Sequence, residues 1–264
     1  MTDASHGWTA LVLAGQRPGV DPVAAQFGIE AKALVPVAGE LMLNRVLMAL
    51  ADAPEVARIV VLAQNTLMLA GHRDLGWAVE EKRISFRVSG PTISGSVLAA
   101  IDDPAIGLPV LVTTADNVML TPATIAEFVA GAGASDVSVG MVERKRLEAA
   151  VGPNRRTWLT FRGGAYTGAN LFALTGPGAR NALTFWERVE QDRKSVLRLA
   201  AHFGPALMMK LLLRRMTVQE ALAAAGRKLG ATAAPVLLSD GRMGVDVDKV
   251  EDHVLAERLL KGPR

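Results

Sequence analysis

Lys32 lies alone among Ala31, Ala33, Leu34 and Val35. A lysine inside an apolar run costs desolvation unless an anion meets it, so it either snorkels from an ordinary strand edge or answers a phosphate. Arg17 stands between Gly15 and Gly19. Those glycines let the backbone approach a ligand or take positive φ, and the five-donor fork of arginine suits phosphate oxygens. Asp116 follows the apolar strand read at Leu108–Thr114. Asp246 and Asp248 alternate with Val245 and Val247, which in an extended segment points both carboxylates to one side. Two carboxylates there repel unless a positive group sits between them, and magnesium is the economical candidate because it takes one or two carboxylates plus phosphate oxygens. Capping of the final helix by Asp248 fits the same residues.

These groups need a frame. Thr9–Leu13 is a short apolar run closed by Ala14-Gly15, the pattern of a central parallel strand covered on both faces. Leu41–Leu50 has helical spacing and leads to a strand at Ile59–Ala63, a first βαβ unit. Phe86–Val88 is a weaker strand, followed by the hydroxyl-rich loop Gly90–Ser96 and a helix over Val97–Ile101, with Ser94 or Ser96 as N-cap or as ligand donors. In open parallel sheets ligands collect beyond the carboxyl ends of strands, so Asp116 is placed for a metal or a ribose. Thr121-Pro122 already starts the next helix, Ala123–Ala130, leaving Asp116 unexplained by capping. Asp136 precedes the strand Val137–Val142 and Ser138 lies near its start.

The second half is less regular. Arg144, Lys145, Arg146, Arg155, Arg156 and Arg162 gather around short strands at Trp158–Phe161 and Asn170–Leu174, separated by Gly163-Gly164. Such a run is either a solvated basic face or the rim of an anionic site. Tyr166, Gly168 and Asn170 stand together at a strand start, where an asparagine either stabilises a turn or fixes a ligand's hydroxyls. Ala179–Ala225 reads as largely helical. Within it, the stretch 206–216 couples Leu and Met to Lys210, Arg214 and Arg215; this suits a core or dimer-interface helix, or a peripheral membrane contact or lipid-like substrate. Thr217–Glu220 forms a capping box for a helix over Val218–Ala225 ended by Gly226. A strand at Pro235–Leu238 and a helix at His253–Leu260 close the chain.

Composition removes whole classes of function. At 264 residues, half of them apolar, the chain can bury a core as one large α/β domain. Without cysteine there is neither a disulfide nor a thiolate metal or catalytic site. MTDASHGW has no signal-peptide pattern and no apolar run reaches membrane-spanning length, so a cytoplasmic protein without transmembrane segment is expected. A net charge of +3 and 5% aromatics leave nucleic-acid binding without support. His6, His72, His202 and His253 are scattered, and no Ser-His-Asp set is present.

LVLAG at 11–15 with Arg17 and Lys32, SGSVLAAI at 94–101, LVTTADN at 111–117, TGANLF at 167–172 and GVDVDKVEDHVLAERLL at 244–260 together resemble the MobA-like nucleotidyltransferases of GT-A type. That family includes the sugar-phosphate, methylerythritol-phosphate and inositol-phosphate cytidylyltransferases. The resemblance spans nearly the whole chain. It implies a Rossmann-like α/β fold: a central, mostly parallel sheet flanked by helices, with a small β/helical insertion on the acceptor side. One domain is expected, with a nucleotide part over 1–140, an acceptor part over 141–235 and a metal-binding strand and helix over 236–264.

The resemblance also implies roles. Ala14 and Gly15 cradle the nucleotide, Arg17 and Lys32 bind the triphosphate, and Ser94 and Ser96 touch base or ribose. Asp116 and Asp248 hold Mg2+, with Asp246 as an alternative ligand. Arg144, Lys145, Arg156, Gly168 and Asn170 face a phosphorylated acceptor. The implied reaction passes a nucleoside monophosphate from a nucleoside triphosphate, CTP favoured, to that acceptor with release of pyrophosphate. The first loop departs from the family's LAGGxGxRxG: Gly15-Gln16-Arg17-Pro18-Gly19 is followed by the longer insert Val20–Ala31 before Lys32. That departure admits a nucleotide-binding protein without turnover. The fold also admits a nucleotide-sugar glycosyltransferase, although Asp116-Asn117-Val118 is not the DxD motif of those enzymes.

Overall fold

The computed structural model describes residues 7–16, 19–154, 156–191 and 204–262. An eight-stranded sheet runs in the order β10-β7-β9-β6-β1-β4-β5, with β8 pairing β9. Its parallel half is β1 (Trp8–Leu13), β4 (Val56–Ala63), β5 (Ile84–Val88) and β6 (Val110–Thr114). Leu11 aligns with Val60 and Val112 across the three central strands. Successive residues of these strands enter opposite cores. Ala10, Val12, Ile59, Val61 and Leu111 join one apolar layer, while Leu11, Val60, Leu62, Val110 and Val112 join the other. That division is why the strands read as unbroken apolar runs: each face is covered.

The helices between them are α1 (Pro22–Phe27), α2 (Met42–Ala51), α3 (Thr66–Ala70), α4 (Gly76–Glu80) and α5 (Ile93–Ile101). A small hairpin pairs β2 (Pro36–Val37) with β3 (Glu40–Leu41). α6 (Pro122–Ala132) starts on Thr121, whose side chain accepts from Thr124 N, and leads to β7 (Val137–Glu143). α7 (Arg144–Val151), β8 (Leu159–Phe161) and β9 (Gly164–Leu174) follow. β9 runs antiparallel to both β6 and β7. Then come α8 (Gly178–Gln191), α9 (Pro205–Leu212), α10 (Val218–Leu229), β10 (Ala233–Leu237) and α11 (Val250–Lys261). β10 pairs parallel with β7. Tyr166 packs with Met141 and Val218 in a small separate apolar cluster, so its ring belongs to the core of the insertion.

Several local expectations are corrected. Lys32 is not in a strand: Lys32–Leu34 is a 3-10 turn, pinned by burial of Ala33 and Leu34. The insert between Gly19 and Lys32 contains α1, capped by Asp21, begun by Pro22 and ended by Gly28 at φ 63, the Pro-in, Gly-out signature of a short helix. α5 is capped by Thr92, which accepts from Gly95 N; Ser94 and Ser96 lie inside its first turn. α10 runs past Gly226 to Gly230, whose φ of 68 ends it. Gly226 is there for packing, because a Cβ would come within 2.7 Å of Ala231 O. The last helix starts at Val250 with Lys249 as N-cap, not with Asp248.

Candidate active site

The carboxyl ends of β6, β1 and β4 lie side by side. The ladder continues one residue beyond β1 and β6, with Ala14 N donating to Leu62 O and Ala115 N to Leu13 O. Gly15 and Asp116 therefore emerge at the same edge. Asn117, 1% exposed, fixes the turn that presents Asp116: its amide donates to Thr113 Oγ1 at 3.1 Å and Ala169 O at 3.0 Å. Thr114 Oγ1 donates to Asp116 Oδ1 at 2.5 Å.

Lys32 meets this carboxylate from across the site. Its Nζ donates to Asp116 Oδ2 at 2.5 Å and to Asp248 Oδ1 at 2.8 Å. Asp248 arrives on the segment after the 3-10 turn Gly241–Gly244, which Val245 and Val247 anchor by complete burial; Val247 N also donates to Asp116 O at 3.3 Å. The side chains of Lys32 and Asp116 are each 16% exposed and that of Asp248 is 63% exposed, so the trio forms a wall open on one side. Burial alone would lower the Lys32 pKa, but the two carboxylates outweigh it and hold the ammonium above its ordinary value. Burial pushes the Asp116 carboxyl up, against the pull of Lys32 and Thr114. Both acids present hard oxygens to one point, the kind of donor that a small divalent ion takes together with phosphate oxygens. Among the described residues no group of three or more His, Cys, Asp or Glu side chains gathers to hold a metal, so this pair of carboxylates would need ligand oxygens from a substrate to complete one.

Asp246 does not join Asp248. Its Oδ1 accepts from Arg156 Nη1 at 2.7 Å and its Oδ2 from Asn170 Nδ2 at 3.0 Å. Arg156 spends further donors on Asp246 O and on Asp252 Oδ1. Asn170 reaches Asp246 because β9 bulges opposite Gly140, where the register shifts between Val139 and Met141; Asn170 takes φ 48 there, a conformation asparagine tolerates. Gly168 is exposed with open space around it. Arg144 pairs with Glu148 and lies 5.5 Å over the Trp158 ring, and Lys145 is exposed on the same helix.

Ser96 Oγ accepts from Gly90 N and donates to Thr92 O, tying the loop before α5 to its first turn. Ser94 is buried beside it. Arg17 lies outside the described residues, as do Arg155 and the basic residues Arg193, Lys194 and Arg198. In and after α9, Met209, Leu212 and Leu213 are exposed, and so are Lys210, Arg214 and Arg215.

Two residues not singled out in the sequence stand in this wall. Gln64, just past β4, accepts from Gln16 N at 3.0 Å and donates to Gln16 O at 3.1 Å. Gln16 Oε1 in turn accepts from Lys32 N at 3.4 Å. The signal for Gln64 was its position: it follows a central strand's carboxyl end as Gly15 and Asp116 do.

In open, mostly parallel α/β sheets the carboxyl ends of the central strands, where these charged groups gather, are where ligands bind. Residues 10–234 match the MobA-like NTP transferase domain. The chain therefore belongs to the MobA-like NTP transferase family of nucleotidyltransferases. Among solved structures it is similar to a hypothetical transferase from Thermus thermophilus, at 29% identity and TM-score 0.77, covering 94% of this chain and 100% of that one. It also shares its fold with 4-diphosphocytidyl-2C-methyl-D-erythritol synthase from Anaerococcus prevotii (10% identity, TM-score 0.57, covering 97% and 96%). A nucleotidyl transferase from Methanothermobacter is similar at 18% identity and TM-score 0.54, covering 97% and 99%. A comparison with curated proteins found no match.

Proposed function

We propose that the protein transfers a nucleoside monophosphate from a nucleoside triphosphate, CTP favoured, to a phosphorylated acceptor and releases pyrophosphate. The observation that carries this reading is the convergence of Lys32, Asp116 and Asp248 from three distant parts of the chain beside the Gly15-Gln16 segment. An acceptor phosphate oxygen attacks the α-phosphorus; the new P–O bond forms as the bond to the β-phosphate bridging oxygen breaks, and the electron pair leaves with pyrophosphate. Lys32 offsets negative charge on the phosphates, a role that the family resemblance gives also to Arg17. Asp116 and Asp248 would hold Mg2+, which supplies charge neutralisation and alignment at the α-phosphate. No protein nucleophile is needed.

The preference for CTP rests on the resemblance of the sequence motifs to cytidylyltransferases. On the acceptor side, Lys145, Gly168 and the free face of Asn170 are offered to the acceptor, while Arg156, already facing two carboxylates, acts by holding Asp246 in place. The exposed end of α9 and the residues just after it, with Met209, Leu212, Leu213 and the cations Lys210, Arg214 and Arg215, support an amphiphilic acceptor or an anionic membrane surface; a homodimer would cover the same residues. The test is pyrophosphate release with each nucleoside triphosphate, Mg2+ and a panel of phosphorylated acceptors. Release with one nucleotide, lost in Asp116→Ala with the fold intact, supports the reading. Free nucleoside diphosphate instead of pyrophosphate would turn it towards glycosyl transfer, and turnover persisting in Asp116→Ala would show the metal site misplaced.

A further inference from the structure

The cation that joins Asp116 to Asp248 belongs to the chain itself. Lys32 Nζ stands within hydrogen-bonding distance of both carboxylates, the position from which a divalent ion would share the same oxygens. Ammonium and ion cannot occupy it together: each is cationic, and magnesium demands ligand oxygens at about 2.0–2.1 Å. The lysine also reduces the negative charge that would draw an ion in. Its backbone is fixed by the 3-10 turn and by Gln16, yet its four-carbon stem is free to swing once a better anion arrives. A triphosphate is such an anion, carrying more charge than either carboxylate.

Resting on the proposed function, we propose that Lys32 is a place-holding counter-cation: it keeps the divalent ion out of the Asp116–Asp248 pair until nucleotide phosphates draw the ammonium away. Metal and nucleotide then bind together, and neither carboxylate is left facing the other uncompensated at any stage. Ordered entry of this kind lets the site reject free metal and respond to the metal–nucleotide complex.

The experiment uses the full chain and Mn2+ as probe ion, reading free Mn2+ by its electron paramagnetic resonance signal without nucleotide. Wild type is compared with Lys32→Met and with Lys32→Gln, the second being a polar replacement in case the first does not fold. The expected result is Mn2+ binding at least about tenfold tighter in a folded neutral variant than in wild type, abolished when Asp116→Asn is added. Equal or weaker binding in the neutral variants overturns the inference, and leaves the functional reading standing if wild type binds Mn2+ in the presence of α,β-methylene-CTP. Tight Mn2+ binding that survives Asp116→Asn puts the ion elsewhere and overturns both.

Discussion

Arg156→Ala removes the group on which the acidic C-terminal segment depends. The guanidinium is 12% exposed and faces Asp246 and Asp252, 25% and 23% exposed. Breaking a fully buried ion pair by removing one partner costs about 3–5 kcal/mol. These carboxylates keep some water, which discounts the loss to about 2–4 kcal/mol. The deficit carries a pH signature. Burial already holds the Asp252 carboxyl above its ordinary value of 3.8, with Arg156 pulling it down. A carboxyl raised in the folded state takes up its proton at a pH where the unfolded chain has none, so stability falls as pH rises through that window. Removing Arg156 raises the carboxyl further and widens the window upwards. The variant's deficit is therefore largest at neutral pH and narrows as pH falls towards 4. Urea unfolding of both proteins between pH 4.5 and 7.5, with the midpoint shifting and the slope unchanged, measures it. A deficit below about 1 kcal/mol at pH 7, or one that grows on acidification, would refute the reasoning.

Other perturbations give separable outcomes. Gly241→Ala places a Cβ against the Arg146 carbonyl, where backbone must move, so a loss of at least about 1–3 kcal/mol is expected in thermal unfolding. Asp136→Ala removes the acceptor that Thr232 N, Thr232 Oγ1 and Gly178 N share, costing about 1 kcal/mol at this half-exposed position. Those bonds hold the Asp136 carboxyl below its ordinary value; its contribution is present above that value and lost as pH falls through the folded pKa, so the gap to wild type closes in acid. Arg214→Glu with Arg215→Glu should abolish co-sedimentation with anionic vesicles while leaving Tm within about 2 °C of wild type; binding retained by the charge-reversed protein would remove the membrane reading of this turn.

The parallel half of the sheet was legible because its strands are buried on both faces, and so spell uninterrupted apolar runs at Leu11, Val60 and Val112. The starts of α6 and α10 were legible because Thr121-Pro122 and Thr217–Glu220 carry their caps locally. What was not legible depended on distant partners or on side chains of equivalent local chemistry. Lys32 looked like a strand residue, since a few apolar neighbours do not separate a strand from a buried turn. Asp246 and Asp248 looked like a pair, but their partners Arg156 and Lys32 lie 90 and 216 residues away and pull them to different groups. The cap of α5 was misplaced by two to four residues because Thr92, Ser94 and Ser96 offer the same hydroxyl chemistry and only the backbone at Thr92, φ −125, has the extended geometry of a cap. Gln64 carries no motif at all; the fold alone brings its amide to Gln16.

The most direct test of the central claim is thermal stabilisation by CTP, GTP, UTP and ATP, each with and without Mg2+. A ligand bound only by the folded protein at about one hundred times its Kd adds about 2.7 kcal/mol, a rise of roughly 5–10 °C for a domain of this size. The account predicts such a rise for one nucleotide, dependent on Mg2+, absent with Mg2+ alone and lost in Asp116→Ala. No shift with any nucleotide, or a shift that ignores both Mg2+ and Asp116, would contradict it.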